Sequence, residues 1–500
     1  LKNLRALLFV YILSFVVAFA AKATETAPFR LHISIEPVTL NPLKQKSTSG
    51  AFLFTSVHAS LLWLEDGVLR PYLADCSQPS STKIICSVNP NAKFSNGKAI
   101  EASHFVRSFV HFLDSKNPGY KADLLLGIKN ADKILSGKLP PKTLGVIANK
   151  LRLTIELEKP DYEFIYNLAN PLFSPSFSAD VSDDFLSPQS VFSGPYVIKS
   201  WEPKRKITLL PNSYFATTLK ARPALEFYFV NEDTVALHLY EKGELDFLRR
   251  LPTLYIAKFK DRADFHKVDQ FRFDYYGFGP ELKNLPDVRK TLAESLDFTE
   301  LQHLYFAKPR PGCVGIPATL TETPVCIDYK PSKKKYDQDP RYQNLKLSYS
   351  KQGGDDIDRS SQWLQAQWKK NLGIQVQLEQ LENKVLLSQL QNQASAIFHH
   401  GVSPTRPTCY AVLENFLPHA KENWIQVNAD SFTRLIKELQ TEANKHKKAH
   451  LCREAMLYLL NNDLLIPTGP EYFSVLAKPN WVGWKLNEIN QLNLSELHSN

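Results

Sequence analysis

The stretch Lys93 to Phe109, reading KFSNGKAIEASHFVRSF, constrains local structure more than any other part of this chain. Phe94 ends an extended segment. Asn96-Gly97 follows, and both residues tolerate the positive φ that a tight reversal demands. Beyond the turn, Phe105, Val106, Phe109 and Leu113 recur at three- and four-residue spacing, which predicts a helix that begins near Ala102 and buries one face. No side chain in this strand–turn–helix unit looks catalytic, so its information is architectural.

The chain has 500 residues, too many for one ordinary core, and two or three lobes are expected. Hydrophobic residues make up 43% and charged residues 22%, a globular composition. The net charge of +9 comes from scattered side chains, and the densest runs, Lys333 to Lys335 and His446 to Lys448, read as solvated faces. With no finger spacing, aromatic–glycine RNA motif or clear helix-turn-helix, no nucleic-acid partner is expected. Residues 1–23 stand apart. Lys2 and Arg5 precede an apolar run from Ala6 to Ala21, and Ala21-Lys22-Ala23 offers small residues for cleavage. This reads as a secretory signal peptide with mature protein from near Thr24, because the run is shorter than the ~20 residues a spanning helix needs.

Six cysteines fit export to an oxidising compartment. Sequence proximity favours Cys76–Cys86 across a Pro-Ser-Ser-Thr turn, Cys313–Cys326 across a Pro-rich loop, and Cys409–Cys452 for the remainder. Free buried thiols are the alternative, and the lack of CxxC spacing argues against a metal cluster.

Strands and helices alternate without a strict βαβ rhythm, which points to α/β or α+β lobes. Arg30 to Glu36 and Gly145 to Glu158 alternate as strands, Leu69 to Val88 reads as a hairpin, and Pro171 to Pro188 as a loop or hinge. Helices are expected over Ala51–Leu62, Thr234–Lys242, Arg289–Leu296, Ser360–Asn371, Ser431–Lys445 and Lys448–Asn461, with Ile374 to Leu378 as a strand.

Several motifs occur together in a fixed order: LADC at 73–76, KFSNGKAIEASHF at 93–105, SGPYVIKSWEP at 193–203, NSYF at 212–215, YEKGELDF at 240–247, VRKTLAESLDF at 288–298, LQAQWKKNLGIQVQLEQ at 364–380 and LAKPNWVGW at 476–484. In order and spacing they resemble the peptide/nickel-binding family 5 of bacterial periplasmic solute-binding proteins. The stretch 134–160 is most similar to the oligopeptide binders. The resemblance covers essentially the whole mature chain. It implies a periplasmic binding protein type II-like fold of mixed α/β (α+β) lobes, two joined by a hinge and a third specific to the family. The implied division is lobe I at 24–65, 187–265 and 476–500, lobe II, the extension, at 66–186, and lobe III at 266–475.

The resemblance further implies a monomer that captures a peptide or peptide-like solute in the periplasm and delivers it to the permease subunits of an ABC transporter, with no cofactor and no catalysis. It places Ser47, Thr48, Ser49 and Gly50 in the first-lobe loop that meets the ligand backbone. The facing wall is Phe398 to Cys409, FHHGVSPTRPTC, whose His400, Gly401, Val402, Ser403 and Arg406 are candidate contacts, Arg406 either towards a ligand carboxylate or towards solvent. Oligopeptide binders carry an Asp in that wall for the ligand's α-amine. Here Ser403, Pro404 and Thr405 occupy the region, and no acid appears before Glu414, so that anchor is not carried over. From the aromatic run Phe271 to Phe278, where alternation makes half the residues core, Tyr275 is the candidate contact.

Other functions have weaker support. His399 and His400 are adjacent on an expected strand and face opposite ways, so they cannot chelate one ion. His446 and His450 share a helical face, but Lys447-Lys448 would repel a cation. No Gly-x-Ser-x-Gly, Walker loop or HExxH is present, which leaves a hydrolase as a remote reading. A periplasmic sensor or adaptor that presents a ligand to a receptor would use the same fold.

Overall fold

The structure is a computed structural model that describes residues 27–45, 50–179, 182–216, 221–300, 312–327, 331, 333–350 and 355–500. The expected signal peptide and Ser47, Thr48 and Ser49 lie outside these residues.

Among the described residues three larger sheets organise the chain. The widest has seven strands, in the order Phe265–Gln270, Glu471–Ala477, Phe247–Leu248, Phe29–Ile33, Leu225–Phe229, Lys206–Pro211 and Tyr196–Glu202. It therefore gathers strands from the start, middle and end of the sequence. The YEKGELDF motif explains part of this assembly. Asp246 accepts hydrogen bonds from the Arg30 backbone N–H and from its Nε, both at 2.9 Å, while its own N–H donates to the Arg30 carbonyl at 2.7 Å. The first strand is thereby fixed beside Phe247–Leu248.

A five-stranded sheet runs in the order Gln377–Gln380, Lys346–Tyr349, Ile397–Val402, Phe273–Phe278 and Leu465–Pro467. All six residues of Phe273–Phe278 are buried, because helices and loops cover both faces of this central strand. A four-stranded antiparallel sheet, Ala74–Ser80, Lys83–Val88, Arg152–Glu156 and Val146–Asn149, builds a third body.

The opening motif lies against that third sheet. Lys93 bridges to Ala99 around Gly97, whose φ of +82° needs glycine. The helix Ala102–Phe112 starts with a capping box, in which the Glu101 N–H donates to His104 Nδ1 at 2.9 Å. Phe94, Phe105, Phe109, Phe112 and Leu113 are at most 1% exposed in one cluster with Ile84, Leu153 and Ile155. The face holds as the periodicity predicts, with Phe112 added and Val106 only half buried.

Elsewhere the boundaries shift. Val68–Pro71 pairs with Leu62–Glu65, and only Ala74–Ser80 joins Lys83–Val88, so the expected hairpin divides into two pairings. The helix expected over Ala51–Leu62 stops at Val57, because Leu62 already belongs to a strand. Ser360–Asn371 lies within a longer helix, Asp355–Leu372. The three local disulfides all form: Cys76–Cys86, Cys313–Cys326 and Cys409–Cys452.

Two buried histidines tie stability to pH. His58 is enclosed by Phe54, Phe185 and Phe192, with Nε2 2.9 Å from the Leu40 carbonyl, and burial pushes its pKa from 6.5 down to about 4. His32 is pushed to about 4 by burial and by the nearby Arg249 charge. In the unfolded chain each takes up a proton near 6.5, whereas the folded chain resists until about 4. Their contribution is thus neutral above pH 6.5, and stability falls as pH drops from 6.5 towards 4. Urea midpoints across that window should decline, and His58→Gln should flatten the decline; an unchanged slope would remove His58 from the account. Separately, Phe109→Ala should lower unfolding stability by about 3–5 kcal/mol, measured by urea titration.

Candidate functional site

The chain passes between the seven- and five-stranded sheets at two neighbouring places. Gln270 ends a strand of the first, and Phe273 begins a strand of the second. The return runs from Pro467 to Glu471. The crossings are held side by side, since Gln270 pairs with Glu471 and Thr468 donates through Oγ1 to the Asp274 carbonyl at 3.1 Å. Two short parallel crossings leave the halves few covalent constraints, which is the geometry of a hinge.

An ion pair sits at this crossing. Arg272 Nε lies 2.9 and 2.8 Å from the two carboxylate oxygens of Asp274, and its NH1 donates to Ser403 Oγ at 3.0 Å. The Asp274 charge holds the guanidinium firmly protonated. Gly401 makes room for the pair. A Cβ on Gly401 would come 1.8 Å from Asp274 Oδ1 and 2.4 Å from Arg272 NH2.

Above the crossing opens a cleft of about 530 Å³. The seven-stranded half contributes Phe54, Arg249, Arg250 and Thr253, the five-stranded half Asp274, Asp356 and Ser403 to Thr405, and the third body Tyr120, Lys121 and Leu172. Glu471 to Ser474 and Glu488 to Gln491 also line it. Thr253 Oγ1 donates to Asp356 Oδ2 at 2.9 Å, a polar bridge from one half to the other. Burial raises the Glu488 carboxyl above its ordinary pKa and lowers that of the Arg249 guanidinium.

A second, more polar chamber of about 520 Å³ adjoins the cleft and shares Lys121, Arg272 and Ser403 to Thr405 with it. His400, Gly401, Val402, Ser403 and Arg406 line this chamber, and of these only Ser403 reaches the main cleft. The strand Ile397–Val402 is paired on both sides, so the wall reaches the cleft only where the strand ends. His400 Nε2 lies 3.7 Å from Glu422. Gly50 is buried at the start of the helix Ala51–Val57 and packs near Gln45 and Pro37.

One candidate is corrected, and a second is placed. Tyr275 is fully buried among Phe273, Phe398 and Phe416 and lines neither space. The aromatic run instead meets the cleft at Phe271, before the strand is covered on both faces. Arg406 does not face solvent: it is 8% exposed and bound to Glu414, the acid eight residues on. Its guanidinium also feels Asp161 and Glu163 from the third body. The residues missed by sequence reasoning are Arg249, Arg250 and Glu488. For the arginines a signal existed, since a charged pair directly after the buried run Leu245 to Leu248 marks a strand's carboxyl end, where ligands often sit in α/β sheets.

The sequence model described as bacterial extracellular solute-binding proteins, family 5 (middle region), matches residues 69–424. The chain is 24% identical over 489 residues to the oligopeptide-binding protein OppA of Bacillus subtilis strain 168, covering 89% of this chain and 87% of that protein. It is 25% identical over 385 residues to the periplasmic murein peptide-binding protein MppA of Escherichia coli K12, covering 71% of each. Among solved structures, the unliganded open form of the murein tripeptide-binding protein MppA superposes with a TM-score of 0.77 at 21% identity, covering 95% of this chain and 98% of the other.

Gly401→Ala should destabilise the ligand-free protein by about 1–3 kcal/mol through overpacking against the Arg272–Asp274 pair. Chemical denaturation without ligand reads this directly, and unaltered stability would dismiss the packing role.

Proposed function

Because the chain belongs to the bacterial extracellular solute-binding proteins of family 5, we propose that it captures a peptide or peptide-like solute in the cleft between its sheets and delivers it to an ABC transporter. The observation that carries this reading is the cleft set over two adjacent chain crossings. A solute that touches both halves makes some contacts only when they are close together, and so shifts the hinge towards closure. The oligopeptide- and murein-peptide-binding relatives, aligned over most of their length, support a peptide as the solute.

The family and these relatives are binding proteins. On this reading the protein catalyses no reaction, acts as a monomer after removal of residues 1–23, and meets permease subunits at the periplasmic face of the inner membrane. Among the described residues no helix is long and apolar enough to cross a membrane. The lobe boundaries implied by the resemblance, with 24–65, 187–265 and 476–500 in lobe I, 66–186 in lobe II and 266–475 in lobe III, are part of the same proposal.

Thermal unfolding against a diverse pool of di- to pentapeptides tests it. A peptide present at 100 times its Kd stabilises the folded state by about 2.7 kcal/mol, visible as a raised midpoint. A pool in which no peptide raises the midpoint would sink the peptide reading.

A further inference from the structure

Most charged groups lining the cleft already have opposite charges or hydrogen bonds. Arg272 is bound to Asp274, and Asp356 accepts from Thr253. Arg250 lies 3.9 Å from Asp233. Arg249 differs. It lines the cleft, its guanidinium stands over the Phe52 ring at 5.7 Å, and among the described residues no carboxylate lies within 4 Å of it. The acid whose charge reaches it, Asp233, also lies against Arg250, so one carboxylate serves two guanidiniums, and the neighbouring His32 is buried and neutral near pH 7.

A guanidinium carries five N–H donors in a flat fork shaped for a carboxylate. The Phe52 ring lies towards one face of that fork, and among the described residues its donating edge has no hydrogen-bond partner. A half-buried cation that only shares one more distant carboxylate with a second arginine is under-compensated. An entering anion would relieve that cost, a direction that agrees with the pKa of Arg249, which burial lowers and Asp233 only partly restores.

From this geometry we infer that the cleft selects a ligand carrying a carboxylate, which the Arg249 guanidinium receives. The inference rests on the solute-binding reading above and names the chemical class of its ligand. Two sources share that chemistry, a peptide's free C-terminus and an acidic side chain.

Three peptides separate them: Ala-Ala-Ala, its C-terminal amide, and Ala-Glu-Ala amide, each titrated calorimetrically into wild type, R249Q and R249K. Wild type should bind at least one of the two acids about tenfold or more tighter than the tripeptide amide, as expected for a charge-assisted hydrogen bond. The preferred acid identifies the source, and added salt should narrow the preference. R249Q should bind all three peptides alike. R249K, which keeps the charge but loses the fork, should show an intermediate preference. The unfolding midpoint of each ligand-free variant is measured first, and if R249Q does not fold, R249K and the salt series on wild type carry the test. A preference that survives R249Q, that R249K leaves whole, that salt does not narrow, or that wild type never shows overturns the inference. If all three probes fail while another member of the wider pool binds, the carboxylate inference falls and the solute-binding reading stands.

Discussion

The placement of everything else in this molecule depends on the Arg272–Asp274 pair at the double crossing. The seven-stranded and five-stranded sheets meet where these residues leave one sheet and enter the other, and Asp274 also receives the returning chain through Thr468. The pair needs Gly401, because any larger residue would push its side chains apart. Breaking one partner of such a pair leaves a desolvated charge behind, so the geometry is held by a penalty as much as by an attraction. The cleft takes its floor from this point, and its walls are whatever each sheet presents above it.

Much of the architecture was legible in the sequence because it rests on local rules. Asn96-Gly97 specifies a turn, the spacing of Phe105 and Phe109 specifies a helical face, and sequence-near cysteines pair. The family order of motifs carried the rest of the fold. The cleft was less legible because its lining comes from separate sheets, and no window of sequence holds Arg249, Asp356 and Glu488 together. Tyr275 shows the limit clearly. Alternation assigns it a side of its strand, but that strand is covered on both sides, and only the tertiary fold says so. The burial of Arg406 was hidden for a related reason: its acid was visible eight residues away, but a strand-and-loop reading gives no cause for the two to turn towards each other.

The third body also touches the far half of the cleft. Lys448 is paired with the buried Glu163, and the Tyr162 N–H donates to the Gln440 carbonyl at 3.3 Å. Burial raises the Asp161 and Glu414 carboxyls above their ordinary range, with the Arg406 charge opposing it in both. This seam is therefore polar and partly desolvated rather than a continuous apolar core. Such contacts are specific in geometry yet modest in net stability, which suits surfaces that must part and meet again.

The disulfides divide stiffness unevenly. Cys76–Cys86 lies within the four-stranded sheet, while Cys313–Cys326 and Cys409–Cys452 lie with the five-stranded half. None spans the double crossing, so oxidation hardens the bodies and leaves the joint compliant. The entropy lost on capturing a ligand then falls on the few residues of the joint, not on interiors that were ordered beforehand. An extracellular redox environment would in this way set how much of the contact energy survives as affinity, without any cysteine approaching the cargo.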